Sequence, residues 1–319
     1  MKNEEEQAEM EGARAGMGVP ESAGAAKAPD GKKGAPPPKI ALYGFNNLTK
    51  SLSFNIYDIC YAGSVKERQE YLAYIDEQYN SARLTDILCG VTERIGAHIL
   101  NISKQDYDPQ GASVNILIAE ADVPKELVDP SNNLGNVDMA MKPTFPEGEE
   151  EAQGGVPQII HAHLDKSHVT VHTFPESHPD KAISTFRVDL DVSTCGKVSP
   201  LSSLDYLIKS FDSDIITIDY RVRGFTRDNN GKKYFLDQSM ASIQDHISDE
   251  ILQDYFAVDM NMYQANLFHT RLMLKDVDLQ SYLFNLDAAE LRPAQRLQIT
   301  EAIQKEMIDI YSGMNVYDE

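Results

Sequence analysis

Apolar positions recur along the chain with two periods, which predict a mixture of helices and strands. Near residue 70 the period is that of a helix, because Tyr74 and Ile75 follow Tyr71 by three and four residues and would share one apolar face with it. Ser64 can cap this helix at its start. A second helix is predicted from about Leu84 to Ile95.

Alternation with a period of two predicts strands in the middle of the chain. It is clearest in Phe186, Val188, Leu190 and Val192, which would all point to one face of a sheet. Shorter apolar runs of the same character follow the two helices and precede this strand: 99–102, 114–118, 159–164 and 169–173. We therefore expect a sheet with several strands.

The second half continues the alternation of helices and strands. Ser199 and Pro200 predict the start of a short helix. The runs 215–225 and 234–236 are predicted to be two strands of one hairpin, because the turn-forming sequence 228–231 lies between them. This part of the chain would thus extend the sheet.

The C-terminal part is predicted to be mostly helical after Ser239. Its clearest element is a long amphipathic helix from about Ala294 to Tyr311. Gly313 follows directly and is typical of a helix end, because glycine adopts the left-handed conformation that closes the last turn. The fold class indicated so far is α+β.

Two segments show neither period. Residues 1–38 are rich in Ala, Gly, Pro, Glu and Lys and poor in branched or aromatic side chains, so we expect a disordered tail that precedes a domain spanning 39–319. Residues from about 121 to 157 form an acidic, glycine-rich stretch that is too long for an ordinary loop. We interpret this stretch as a mobile insert.

Composition and charge exclude several classes of protein. The 319 residues include 29 Lys and Arg against 50 Asp and Glu, so a net charge of −21 argues against nucleic-acid binding through a basic surface. No run approaches the roughly 20 apolar residues that span a bilayer, and no membrane contact is predicted. Cys60, Cys89 and Cys195 are too few for a disulfide framework or a four-cysteine zinc site, and they favour a reducing cytoplasm.

Histidines are concentrated in one short segment, and two hypotheses compete for them. Because residues at even spacing on a strand share a face, pairs of these side chains could bind a divalent metal. Alternatively, one imidazole serves as a base for the neighbouring Ser167 while the others are structural. Five of the eight histidines belong to this segment: His161, His163, His168, His172 and His178.

The same segment carries a family resemblance. HLDKSHVTVHTFPESHP, followed by FRVDLDVSTCG, resembles the processing and active-site region of S-adenosylmethionine decarboxylases, specifically the longer bacterial class. The similarity extends through LYGFNNLTKSLSFNIYDICYA, QDYDPQGASV, DSDIITIDYRVRGFTRD and NLFHT, and it covers nearly everything after residue 39. The alanine-rich tail and the acidic insert depart from the family pattern.

The resemblance implies a proenzyme that cuts itself and makes its own cofactor. The bond between Lys166 and Ser167 would be cleaved when the serine hydroxyl attacks the preceding carbonyl and an ester forms. Elimination and hydrolysis would then turn Ser167 into a pyruvoyl group, which forms a Schiff base with the substrate. Two chains would result, a β chain of residues 1–166 and an α chain of residues 167–319.

The resemblance also implies roles for five further residues. His172 would accept a proton during self-cleavage and Ser113 would assist it, while Cys195 would donate a proton during catalysis. Tyr107 would stack on the substrate's adenine, and Glu176 would bind the ribose hydroxyls. Without the resemblance, Cys195 would be interpreted as an inert small side chain, Tyr107 as a half-buried turn residue and Glu176 as a solvated acid.

The architecture implied by the resemblance is a two-layer α/β sandwich, in which helices cover one face of an antiparallel sheet. Two copies would pair into a four-layer assembly, so a homo-oligomer of αβ units is expected. The helical C-terminal extension would pack around the sandwich or contribute to oligomer contacts. The order of helices and strands predicted above agrees with this architecture.

The activity implied is decarboxylation of S-adenosylmethionine to S-adenosylmethioninamine, the aminopropyl donor for spermidine synthesis. Mg²⁺ is implied as an activator, but no residues have recognisable metal-ligand spacing, and we expect carboxylates distant in sequence rather than the histidines. Two alternatives stay open: a decarboxylase of the same fold that acts on arginine or ornithine, and a non-catalytic regulatory homologue.

Overall fold

An eight-stranded antiparallel sheet forms the centre of the structure. The computed structural model describes residues 47–108, 110–119, 167–177, 182–228, 230–236 and 239–316. Its strands are β1 (Thr49–Tyr61), β2 (His98–Asp106), β3 (Ala112–Ala119), β4 (His168–Ser177), β5 (Ile183–Cys195), β6 (Ile215–Arg223), β7 (Thr226–Arg227), β8 (Lys233–Tyr234), β9 (Tyr255–Asp259) and β10 (Leu267–Leu274). The large sheet has the order β2-β3-β4-β5-β1-β6-β10-β9, and β7 pairs only with β8.

Helices cover one face of this sheet, which we call the helix face. They are α1 (Val65–Gln78), α2 (Ser81–Ile95), α3 (Leu204–Ser210) and α4 (Asp249–Asp254). A fifth helix, α5 (Pro293–Ser312), does not belong to this layer. Leu84 and Leu88 of α2 and Leu204 of α3 are fully buried against Phe54 and Val188 of the sheet. This packing confirms the predicted sandwich of helices on an antiparallel sheet.

The ends of the helices match the sequence signals. Ser64 and Glu67 form a reciprocal capping box at the start of α1, in which the Ser64 side chain accepts from the Glu67 N–H. The helix α5 ends at Gly313, which has a φ of 71° and closes the last turn with its N–H. The predicted helix start at Ser199 and Pro200 is a 3₁₀ turn that continues into α3.

The helix α5 packs on the opposite face of the sheet. Ile299, Ile303 and Met307 from α5 are buried against Ile59 of β1 and Ile215 of β6. The C-terminal extension therefore covers one end of the second sheet face within the same chain. None of the described helices is long and apolar enough to cross a membrane.

Two predictions about the second half were wrong in detail. A hairpin does form on either side of the predicted turn, but its first strand is β7, which pairs with β8, whereas β6 pairs with β1 and β10. Gly224, with a φ of 86°, turns the chain away after β6, and a side chain there would overlap the Asn47 carbonyl group. The region after Ser239 is not mostly helical, since it also contributes β9 and β10 to the sheet.

The strand β1 was not predicted, although it is central to the sheet. It pairs along its length with β5 and along most of its length with β6. Leu52, Phe54 and Ile56 are buried on the helix face, while the residues between them are partly exposed on the other. The predicted tail, the predicted insert and the predicted strand 159–164 lie outside the described residues.

Buried acids lie at the end of β1 beneath α1. Burial raises the pKa of Asp58 well above its ordinary value, and the nearby carboxylates of Asp214 and Asp212 raise it further, against a hydrogen bond from Tyr74. Burial also raises the pKa of Asp214 to about 6, although Tyr282 donates a hydrogen bond to it. One carboxyl oxygen of Asp58 has no hydrogen-bond partner among the described residues.

These acids predict that the fold loses stability as the pH rises. Because the folded-state pKa exceeds the unfolded value near 4, the folded chain holds more protons, and the free energy of unfolding falls above that pH. Asp58→Asn should raise the free energy of unfolding at pH 7 by on the order of 1 kcal/mol and leave it nearly unchanged at pH 4. Urea unfolding at both pH values, with exposed Asp76→Asn as control, checks this. Equal effects of Asp58→Asn at the two pH values would contradict it.

Candidate functional site

The sheet face opposite the helix face carries the predicted site, and we call it the open face. Odd-numbered residues of β1 and β5 and even-numbered residues of β4 point to it, as the alternation of burial along these strands shows. Away from the end covered by α5, its side chains are mostly polar. Those of the central strands are Ser51, Ser53, Asn55, His168, Thr170, His172, Asp189, Asp191 and Ser193.

Ser167 and His172 are far apart although they are close in sequence. Ser167 is buried directly before β4, where its carbonyl oxygen accepts from the Ile118 N–H at 3.1 Å. His172 lies five residues further along the extended strand, which corresponds to about 16 Å. The imidazole of His172 therefore cannot reach Ser167 within one chain.

Cys195 lies at the Ser167 end of the site. In the β4–β5 register His168 is opposite Ser193, so continuing the register places Ser167 beside Thr194, the residue that directly precedes Cys195. Cys195 is partly buried at the end of β5 and carries a thiol. The predicted cleavage serine and the predicted proton donor thus lie at the same end of two neighbouring strands.

A buried lysine, which the sequence analysis missed, stabilises the turn after Cys195. The Lys50 side chain is fully buried, and its Nζ donates to the Val198 carbonyl at 3.0 Å. The Thr194 hydroxyl donates to the same carbonyl at 3.0 Å, and the Gly196 N–H donates to the carbonyl of residue 48. These bonds fix the end of β5 and with it the position of the thiol.

Ser113, Tyr107 and His172 form a second group at the other end of the site. Ser113 of β3 lies directly opposite His172 in the antiparallel register. Its hydroxyl is 2.8 Å from the Tyr107 hydroxyl, and the Tyr107 side chain is 44% exposed. Glu176 is exposed four residues beyond His172, about 13 Å along the strand. The predicted substrate contacts therefore lie with the processing histidine, away from Ser167.

An ionic network adjoins this second group. Asp189 lies directly opposite His172 on β5. The Arg187 guanidinium donates to the Asp189 carboxylate at 2.9 Å and to the Asn55 side-chain oxygen at 3.1 Å. It also lies 5.2 Å from the Phe174 ring centre. These residues were not predicted, and the signal that could have found them is the polar half of the alternation in β1 and β5.

Asp191 is a further acid that the sequence analysis missed. It lies opposite Thr170, between the positions of His168 and His172 on β4. Burial raises the pKa of this carboxyl, against a hydrogen bond from the Ser53 side chain. Asp189 raises the pKa further, whereas the two imidazoles lower it. A carboxyl with a raised pKa between two histidines is typical of a functional site.

The two histidines of this segment that the structure describes give no support to the metal hypothesis. His168 and His172 share the open face, but four residues of strand separate them by about 13 Å, too far for both to ligate one ion. His161, His163, His178 and Lys166 lie outside the described residues. Among the residues that the structure describes, no group of three or more His, Cys, Asp or Glu side chains is arranged to hold a metal. The magnesium site stays a prediction without ligands.

Comparison with known proteins assigns the chain to a family. A family model described as S-adenosylmethionine decarboxylase matches residues 144–224, which include Ser167, His172 and Cys195. A protein of Alkaliphilus oremlandii named S-adenosylmethionine decarboxylase proenzyme is 64% identical over 279 residues, which are 88% of this chain and 98% of that one. The chain belongs to the S-adenosylmethionine decarboxylase family. This confirms the resemblance on which the sequence analysis drew.

Two other relatives bear the same name. One from Clostridium botulinum strain Alaska E43 is 61% identical over 88% of this chain and 97% of its own length. One from Hahella chejuensis is 56% identical over 87% of this chain and 98% of its own length. Because each relative is matched over nearly its whole length, the family assignment applies to almost the entire domain and not to a single motif.

Proposed function

We propose that this protein decarboxylates S-adenosylmethionine after cutting its own chain between Lys166 and Ser167. The observation that carries the proposal is the juxtaposition of Ser167 and Cys195 at one end of the sheet, in a chain that is 64% identical to a relative named as a proenzyme of this activity. The product would serve as aminopropyl donor for spermidine synthesis. The reaction would take place in the cytoplasm.

Self-cleavage would begin with the hydroxyl of Ser167. The hydrogen bond from Ile118 to the Ser167 carbonyl anchors the start of β4, so the residue that reacts is fixed on its C-terminal side. The hydroxyl attacks the Lys166 carbonyl, the acyl group moves from nitrogen to oxygen, and a base removes the Ser167 Cα proton to eliminate the ester. A neutral imidazole suits that last step, and His172 is the proposed base.

A second copy of the chain is required to bring that base to Ser167. Within one chain the two residues are about 16 Å apart along an extended segment. If two open faces pack against each other with the strands running in opposite directions, the His172 end of one copy covers the Ser167 end of the other. Ser113 lies opposite His172, so the same pairing would bring it to the Ser167 end of the other copy. We therefore propose a four-layer homodimer with two composite sites.

The mature site would hold the substrate through three kinds of contact. A pyruvoyl group formed from Ser167 would supply a ketone for the substrate amine and an electron sink for decarboxylation. The partly exposed Tyr107 ring offers a face for the adenine or the sulfonium charge, while Glu176 offers acceptors for the ribose hydroxyls. Cys195 donates the proton that replaces the carboxylate.

Carbon dioxide release distinguishes this proposal from its alternatives. Purified protein should release labelled carbon dioxide from carboxyl-labelled S-adenosylmethionine and not from arginine or ornithine. Release from either amino acid alone would favour a decarboxylase with a changed substrate. No release from any of the three, with an uncut chain, would favour the regulatory homologue and overturn the proposal.

Cys195→Ala should separate self-cleavage from turnover. Because the thiol is needed only after the pyruvoyl group exists, the variant should still yield two chains, while kcat falls by about a hundredfold or more. Electrophoresis of the denatured protein measures the first property and carbon dioxide release the second. Cys89→Ala, which removes a thiol from α2, is the matched control and should behave like the wild type. Normal turnover in Cys195→Ala would remove this residue from the mechanism.

A further inference from the structure

One imidazole on the open face has no role in the proposed reaction. His168 lies directly opposite Ser193 in the β4–β5 register. Asp191 and Cys195 are the next residues on either side of Ser193 on the same face. Cross-strand diagonal neighbours lie about 7–8 Å apart, which is within reach of an aromatic ring. His168 is therefore placed between an acid and the proposed proton donor.

The influences on the pKa of Asp191 agree with this placement of His168. The charge of His168 lowers the raised pKa of Asp191, so the carboxyl and the imidazole are close enough to interact. His172 acts on the same carboxyl from the other side, while Asp189 opposes both. On the neighbouring strand β3, the residue opposite His168 is the uncharged Leu117. Asp191 is thus an acid diagonal to His168 in the register, and its carboxyl also accepts a hydrogen bond from Ser53.

The reaction consumes a proton in every cycle. The substrate carboxylate leaves as carbon dioxide, its bonding electrons stay on the carbon, and a proton must form the new C–H bond. If the Cys195 thiol supplies that proton, a thiolate remains. The thiolate must regain a proton from solvent before the next turnover, although Cys195 is only partly exposed. A titratable group next to the thiol would supply it.

We propose that His168 relays a proton from solvent to Cys195, with Asp191 orienting the ring. The imidazolium N–H bond breaks as the S–H bond forms, and the ring then takes a proton from water or hydronium. His168 acts through Cys195 and is therefore a positioning residue rather than a catalytic one. The inference rests on the proposed function, because it needs Cys195 as the proton donor.

The test is His168→Gln, analysed in the self-cleaved enzyme. The variant should still yield two chains and keep KM within about twofold, while kcat falls by about tenfold to a hundredfold. Added imidazole should restore kcat severalfold, which a merely structural role of His168 would not produce. His98→Gln, which removes an exposed imidazole from the edge strand β2, is the matched control and should show neither loss nor rescue.

Each outcome decides the inference. A cleaved His168→Gln enzyme with normal kcat, or with a loss that imidazole does not reverse, overturns the relay but leaves the proposed function intact. If wild-type enzyme releases no carbon dioxide from S-adenosylmethionine, both fail together. If His168→Gln is not cleaved, Asp191→Asn decides: reduced kcat with a larger solvent isotope effect supports the relay, and unchanged kcat overturns it.

Discussion

Ser167→Ala is expected to leave the protein as one uncut chain without decarboxylase activity. No other hydroxyl can replace the nucleophile, because the alanine methyl group cannot attack the Lys166 carbonyl and no ester can form. The denatured variant should therefore run as a single species of 35.6 kDa. Carbon dioxide release from S-adenosylmethionine should fall to the background of the assay.

The matched control for this variant is Ser103→Ala. Ser103 is an exposed serine on the edge strand β2 and takes no part in the proposed chemistry. Ser103→Ala should be cut and should turn over substrate like the wild type. Two chains or wild-type activity in Ser167→Ala would contradict the assignment of the cleavage site.

Co-expression of two inactive variants should restore activity if the site is shared between copies. In a heterodimer of Ser167→Ala with His172→Ala, one of the two composite sites combines an intact Ser167 with an intact His172. Random pairing makes half of the dimers heterodimers, so about a quarter of the wild-type sites should work. Purified co-expressed protein, assayed for both cleavage and carbon dioxide release, measures this fraction.

The matched control pairs Ser167→Ala with Cys195→Ala. Both residues lie at the same end of the site and would come from the same copy, so no composite site in that heterodimer contains both. Decarboxylation should stay at background. Restoration in this control, or its absence in the Ser167→Ala and His172→Ala mixture, would contradict the face-to-face pairing.

The local signals in the sequence predicted several elements correctly because those elements depend on neighbours along the chain. The capping residue Ser64, the alternation in β5 and the terminal Gly313 each act within a few residues. The strand β1 was missed, and β9 and β10 were assigned to a helical region. Short apolar runs fit a helix or a strand equally well, and only the pairing with distant strands decides between them.

The candidate site illustrates the same limit. Ser167, His172 and Cys195 were found through resemblance, and their nearness in sequence gave no indication that an extended strand separates the first two by about 16 Å. Lys50 and Asp191 were missed because their positions depend on β5 lying between β1 and β4. That order is set by the whole sheet and cannot be obtained from any one segment.

Intact mass spectrometry of the purified, active wild-type protein tests the central claim most directly. The account predicts two chains that together span the sequence, with the break between Lys166 and Ser167. It also predicts that the C-terminal chain lacks a free amino group and has the mass expected for a pyruvoyl group in place of Ser167. A single uncut chain in fully active protein, or a C-terminal chain that begins with an ordinary serine, would contradict the account.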